Sequence, residues 1–171
     1  TALGGFSFGR GRPAAGAVML NIANRDELAV MAARLEERFR GRKVAFGVQP
    51  QLRAQSELIM GVSRAGDAGH VVMVGMGGIF TEIMKDARFR LVPITRTDAR
   101  AMIRALRGHG VLAGARGRKA VDFDVLEEML LRLSQMAAEL PMIDELDLNP
   151  VFAGAGKGET LAVDVRMKIS M

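Results

Sequence analysis

Toward its C-terminus the chain reads Glu145-Leu146-Asp147-Leu148-Asn149-Pro150, crosses a Gly-rich stretch, and returns as Leu161-Ala162-Val163-Asp164-Val165-Arg166. Alternation of apolar and polar residues, over Glu145 to Asn149 and again over Val163 to Arg166, on both sides of a turn is the pattern of a half-buried β-ribbon. Asp147 and Asn149 then share one face of the first strand, and Leu146 and Leu148 take the other. A turn at Gly156-Lys157 sets a register in which the numbers of paired residues sum to a constant. It places Asn149 opposite Asp164 and Asp147 opposite Arg166. One face thereby gathers an amide oxygen and a carboxylate. Hard oxygen donors of this kind suit Mg2+, which takes one or two protein oxygens and leaves its other positions to water and phosphate. The pattern alone also fits a solvated ribbon face with one ordinary ion pair.

The rest of the composition narrows the class. The 171 residues make one domain's worth of chain, and 49% are apolar, enough for a substantial core. There is no Cys, hence no disulfide framework and no thiolate metal site. No apolar run approaches the ~20 residues that span a bilayer, and Thr1 to Gly16 lacks the charged-then-apolar order of a secretion signal. A cytoplasmic protein without membrane contact is expected. The net charge of +5 comes from scattered Arg, with no Tyr or Trp to stack bases, so no nucleic-acid partner is expected.

Along the chain, Ala17 to Ile22 reads as a strand. Asn24 with Glu27 has capping-box spacing before a helical stripe of Leu28, Met31, Leu35 and Phe39. Val44 to Gln49, Glu57 to Val62 and Val71 to Gly75 read as strands, as do Ile79 to Met84 and Phe89 to Pro93 around the interruption Met76-Gly77-Gly78. Thr95 can cap a helix carrying Ala99, Met102, Ile103 and Leu106, and Gly108 to Lys119 reads as a basic loop. Asp122 or Asp124 starts a longer helix with Leu126, Met129, Leu130, Leu133 and Leu140 on one stripe. Strands come in runs with helices between them, which is α+β.

Several residues carry potential chemistry. Gly75-Met76-Gly77-Gly78 follows an apolar strand and would let backbone N–H groups approach a phosphate, although such glycines equally make a tight turn. No Gly-Lys-Ser/Thr follows, which excludes a P-loop. Gly9-Arg10-Gly11 has the same ambiguity. Glu57 at a strand start can accept from a sugar hydroxyl or simply stay solvated. Glu82, in an apolar strand, calls for a partner such as an Arg. His70 and His109 stand apart from other ligand types and read as surface or turn residues. Met31, Met102, Met129 and Met136 fall at helical core spacing.

Taken in order, Val48-Gln49-Pro50, Ser56-Glu57-Leu58-Ile59-Met60-Gly61-Val62, Val71 to Glu82 with Gly77-Gly78, Lys85-Asp86 with Phe89-Arg90-Leu91, Glu145 to Pro150 and Val163-Asp164 resemble the nucleotide-binding ATP-grasp domain of NDP-forming acyl-CoA synthetases. These enzymes are relatives of the succinyl-CoA synthetase β subunit. The resemblance runs from about Gly9 to the last residues.

The resemblance implies an ATP-grasp fold of two α+β lobes: a C-terminal lobe at 54–171 and a partial N-terminal lobe with the hinge at 1–53. It implies that Asn149 and Asp164 bind Mg2+, that Gln49 in the hinge touches the adenine of ATP or ADP, and that Glu57 contacts the nucleotide sugar. Gly9, Arg10 and Gly11 would fold over the phosphates, beside Gly77 and Gly78. The implied reaction interconverts ATP, a carboxylic acid and CoA with ADP, phosphate and the acyl-CoA. A histidine on another domain or subunit carries the phosphoryl group, so a CoA-binding partner and an oligomer are expected. A related protein acyltransferase fits the same pattern. The family's earlier stretch has a phosphate-binding Lys, whereas here no Lys precedes Lys43. The expectation is therefore a C-terminal portion of a larger enzyme, or a relative kept as a non-catalytic nucleotide-sensing or interaction module.

Overall fold

In a computed structural model, residues 18–52, 54–78, 86–156 and 158–170 are described, the side chain of Arg116 excepted. Two compact units divide the chain, residues 1–53 and 54–171. The proposed strand at Ile79 to Met84, with Glu82, lies outside the described residues, as do Gly9, Arg10 and Gly11.

In the first unit, helix α1 spans Arg25–Arg38. Its start follows from capping chemistry: Asn24 Oδ1 accepts the Glu27 N–H at 2.9 Å, and the Glu27 carboxylate reaches back to the Ala23 N–H at 2.9 Å. Ile22 and Leu35 are buried together, with Leu28, Met31, Phe39 and Phe46 packed around them. Among the described residues, the strands expected at Ala17 to Ile22 and Val44 to Gln49 are not formed. Only isolated bridge residues occur, at Ile22 and Pro50. Phe46 spends its apolar surface on this small cluster, its ring 6.5 Å from that of Phe39. A short alternating segment becomes a strand only when a partner strand takes up its N–H and C=O groups.

The second unit is built on one antiparallel sheet. Its strands are β1 (Ser56–Arg64), β2 (His70–Met76), β3 (Ala87–Leu91), β4 (Ile143–Ala153), β5 (Leu161–Ala162) and β6 (Val165–Ile169). The order is β3-β2-β1-β4-β5, with β6 also on β4. The register aligns Leu58 with Met76, Met60 with Val74 and Val62 with Val72. All six side chains are buried on one face, where Leu146, Leu148 and Val151 of β4 join them.

Helices α2 (Arg96–Arg104) and α4 (Phe123–Glu139) contribute Ala99, Met102, Ile103, Leu126, Leu130, Leu133 and Ala137 to this core. Between the two helices, where a loop was expected, lies a short helix α3, His109–Leu112, and a 3-10 turn at Ala115–Gly117. Helix α2 begins with a full capping box, Thr95 with Asp98. Helix α4 begins on Asp122, whose carboxylate accepts the Val125 N–H at 3.2 Å.

Four details depart from the sequence reading. Leu140 caps the end of α4 and is 42% exposed, because the helical stripe stops before it. Strand β3 begins at Ala87 and ends at Leu91, before the cis Val92-Pro93 bond. His70 is buried, not at the surface, and its Nε2 lies 2.6 Å from the Ile143 carbonyl. A carbonyl only accepts, so Nε2 carries the proton. Finally, Glu127 is buried on α4 and meets Arg100 of α2 through two hydrogen bonds, 2.8 and 3.2 Å, with Arg96 at 3.6 Å.

The Arg100 hydrogen bonds hold the Glu127 carboxyl below its ordinary value, against the opposing effect of burial. A lowered folded-state value stabilises the fold above the ordinary glutamate value of 4.5, and the contribution is lost as pH falls through the lowered one. Glu127→Ala is expected to cost about 2 kcal/mol at neutral pH, read as a drop in the urea midpoint. The deficit against wild type should shrink below pH 4.5. A deficit independent of pH would contradict the ion-pair account.

Candidate functional site

The site grows from β1 and the end of β2. Glu57 is an outward residue of β1, exposed while Ser56 and Leu58 on either side are buried. The chain leaving β2 returns against it: the Gly77 N–H donates to the Glu57 carbonyl at 2.7 Å. The approach is close enough to require glycine. A Cβ on Gly77 would lie 2.9 Å from both the carbonyl carbon and the Cβ of Glu57. Gly78 follows at φ +64, and a Cβ there would stand 3.3 Å from Glu57 Oε2.

The buried Asp86 secures the same end of the sheet. Its carbonyl accepts the Met76 N–H at 3.0 Å, and its carboxylate accepts the N–H groups of Arg107 and Gly108 at 2.9 and 2.8 Å. Around this corner lies a cleft of about 350 Å³, lined by Gln55, Ser56, Glu57, Gly77, Gly78 and Arg118 among others. The Ser56 hydroxyl is buried there without a hydrogen-bond partner. An adjoining cleft of about 510 Å³ shares Ala54, Gln55 and Arg118 and adds Lys119, Gly156 and Glu159. Asn149 and Asp164 line neither cleft.

Those two residues stand on the ribbon made by β4 and its return strands. Asp147 pairs with Arg166, Leu148 with Val165, and Val151 with Ala162. Between these pairs the Asn149 N–H donates to the Asp164 carbonyl at 3.1 Å, and the Val163 N–H to the Pro150 carbonyl at 2.9 Å. The alternating pattern therefore reads out in the register expected from it, through the cis Asn149-Pro150 bond.

Leu146 and Leu148 face the core, so Asp147 and Asn149 face away from it, and Asn149 is exposed. Arg166 Nε lies 3.6 Å from Asp164 Oδ2. Partial burial pushes the Asp147 carboxyl above its ordinary value. Arg166 opposes that rise, and Glu145 and Asp164 add to it. The cross-strand register and the 3.6 Å contact put Asp147, Asp164 and Arg166 within electrostatic reach of one another.

Gln49 belongs to the first unit, exposed and outside any helix or strand. His109 stacks on Phe123, ring centroids 5.4 Å apart, away from any cluster of ligand side chains. Among the described residues no group of three or more His, Cys, Asp or Glu is placed to hold a metal ion. Gln55, Ser56 and Arg118 escaped the sequence reading. Arg118 sat in a segment without period, and nothing in a lone Ser or Gln marks it as cleft-lining.

The family model for the ATP-grasp domain matches residues 10–169. The chain belongs to the ATP-grasp family.

Among the relatives of this ATP-grasp chain is the β subunit of ADP-forming acetate–CoA ligase II from Pyrococcus furiosus, 42% identical over 157 residues, covering 88% of this chain and 66% of the relative. The β subunit of ligase I from the same organism is 40% identical over 158 residues, covering 90% of this chain and 67% of the relative. A solved structure of Ca. Korarchaeum cryptofilum acetyl-coenzyme A synthetase 1, with coenzyme A and Mg-AMPPCP, aligns with TM-score 0.79 at 31% identity. It covers 91% of this chain and 68% of that one. The chain thus spans about two thirds of the length of these relatives.

Replacing Gly77 by Ala is expected to cost about 1–3 kcal/mol, because the new methyl group meets backbone and not a movable side-chain tip. Faster hydrogen exchange at the residue 77 amide should accompany the loss. Unchanged stability and exchange would show that the β2 end is not pinned on Glu57.

Proposed function

We propose that this chain is the nucleotide-binding portion of an ADP-forming acyl-CoA synthetase, taking MgATP or MgADP. The observation that carries the reading is the juxtaposition of Asn149 and Asp164 on the outward face of the ribbon, in a chain of the ATP-grasp family. The donor set fits Mg2+. One amide oxygen and one carboxylate, both exposed, leave most of an octahedral shell to water and phosphate oxygens. A site needing three or more protein carboxylates would not be satisfied here. Mg2+ so held would neutralise charge on the phosphate chain.

The chain's own residues have separate tasks in this reading. Asn149 and Asp164 hold the metal at a fixed place: Asn149 stands on β4, and Asp164, between β5 and β6, is tied to it by the Asn149 N–H bond to its carbonyl. Glu57 accepts from the sugar hydroxyls. The Gly77-Gly78 turn, which bears no side chain, lets the nucleotide approach the backbone beside it. Gln49 contacts the base, and Gly9, Arg10 and Gly11 cover the phosphates. The acid, CoA and a phosphoryl-carrying histidine belong to other parts of the enzyme. In support, the Korarchaeum relative is described with coenzyme A, Mg-AMPPCP and a phosphohistidine segment pointing towards its nucleotide binding site. No helix among the described residues is long and apolar enough to cross a membrane, and a cytoplasmic place is part of the proposal.

Isothermal calorimetry with MgADP tests it. Wild type should bind, and the Asn149→Ala/Asp164→Ala variant should lose at least tenfold in affinity, the loss of about one charge-assisted contact. Binding indifferent to both substitutions would move the metal elsewhere. Absence of binding by wild type would favour a module that keeps the fold without the chemistry.

A further inference from the structure

The outward face of the ribbon holds more than the Asn149–Asp164 pair. Cross-strand register also sets Asp147 beside Arg166 and Glu145 beside Lys168. Arg166 therefore has two carboxylates within reach, and its Nε lies 3.6 Å from Asp164 Oδ2. That is a long contact, between side chains 77% and 55% exposed. Solvated pairs of this kind are weak and readily exchanged. Asp164 is also the one carboxylate of the proposed metal pair, so a guanidinium and a divalent cation compete for the same oxygens.

We infer that Arg166 is the internal counter-ion of the metal site and a phosphate-binding residue in its own right. It rests on Asp164 while no divalent cation is bound, and turns to the phosphoryl oxygens of the nucleotide once the cation takes that carboxylate. The inference rests on the reading of Asn149 and Asp164 as metal ligands, and extends it to a residue two positions further on the same face.

Three features support the exchange. A divalent ion on Asp164 repels a guanidinium left a few ångströms away. The nucleotide brings a polyanion to that face at the same moment. Finally, the planar guanidinium fork matches two phosphoryl oxygens at once, which the single negative partner at 3.6 Å does not exploit. Because Arg166 lies on a strand, its backbone stays fixed while only the side chain moves.

The test is an NMR titration of the 15N-labelled 171-residue chain, first with Mg2+ alone and then with ADP at saturating Mg2+. In wild type, Mg2+ alone should shift the Asn149 side-chain amide and the Arg166 Nε–H together. Arg166→Gln should bind Mg2+ about two- to fivefold more tightly, the inverse of a weak exposed ion pair. The same variant should bind ADP at least about tenfold more weakly, having lost a charge-assisted contact. Arg166→Lys should fall between wild type and Arg166→Gln in both. The opposite signs are the diagnostic, since a residue that merely stabilises the ribbon would weaken both ligands.

Unchanged or weakened Mg2+ affinity in Arg166→Gln, or unchanged ADP affinity, overturns the inference while leaving the metal pair standing. A wild-type chain whose Asn149 signals ignore Mg2+, or an Asn149→Ala variant that still responds at Asp164, removes the metal pair and this inference with it.

Discussion

The pairing of β4 with its return strands governs everything that the candidate site depends on. Side chains alternate along a strand, so a slip of one residue would send Asp147 and Asn149 into the core and Leu146 and Leu148 into water. Burial of those two leucines in the core of the unit makes the slip costly, at roughly 1.5–3 kcal/mol for each leucine exposed. The same burial that stabilises the sheet therefore decides which oxygens face outward. Packing and chemistry are opposite faces of one strand.

That strand is braced on both sides. It pairs with β1 on one side and with β5 and β6 on the other. Behind the sheet, α2 and α4 are tied together by Glu127 with Arg96 and Arg100, an ion pair placed where the two helices meet. Glu57 and the glycine turn belong to the same sheet, through the Gly77 N–H bond to the Glu57 carbonyl. A site assembled on paired strands holds its geometry before any ligand arrives, which is what positioning a phosphate chain requires.

Much of this was legible in the amino-acid sequence, and the reasons are specific. Asn149 and Asp164 could be matched because alternation and a Gly-rich turn leave little choice of register, and Asp147 with Arg166 follows from the same count. Asn24, Thr95 and Asp122 announced their helices because a cap is a local interaction. What escaped were long-range matters. His70 looked like a surface residue until Ile143, far along the chain, supplied a carbonyl for it. Glu127 lies one residue from the apolar stripe of α4, and only the approach of α2 makes its burial tolerable. Val44 to Gln49 has the local pattern of a strand and no described partner to complete it. The orphaned Ser56 hydroxyl and Arg118 carry no sequence signal at all, since a cleft is made by segments distant in the chain.

The most direct measurement is an anomalous diffraction map from crystals of this chain grown with Mn2+ and a non-hydrolysable ATP analogue. The account predicts one strong peak on the outward face of the ribbon, roughly 2.0–2.2 Å from Asn149 Oδ1 and an Asp164 carboxylate oxygen, with phosphate oxygens completing the shell. A peak elsewhere, or an analogue bound without metal at these two residues, would contradict it.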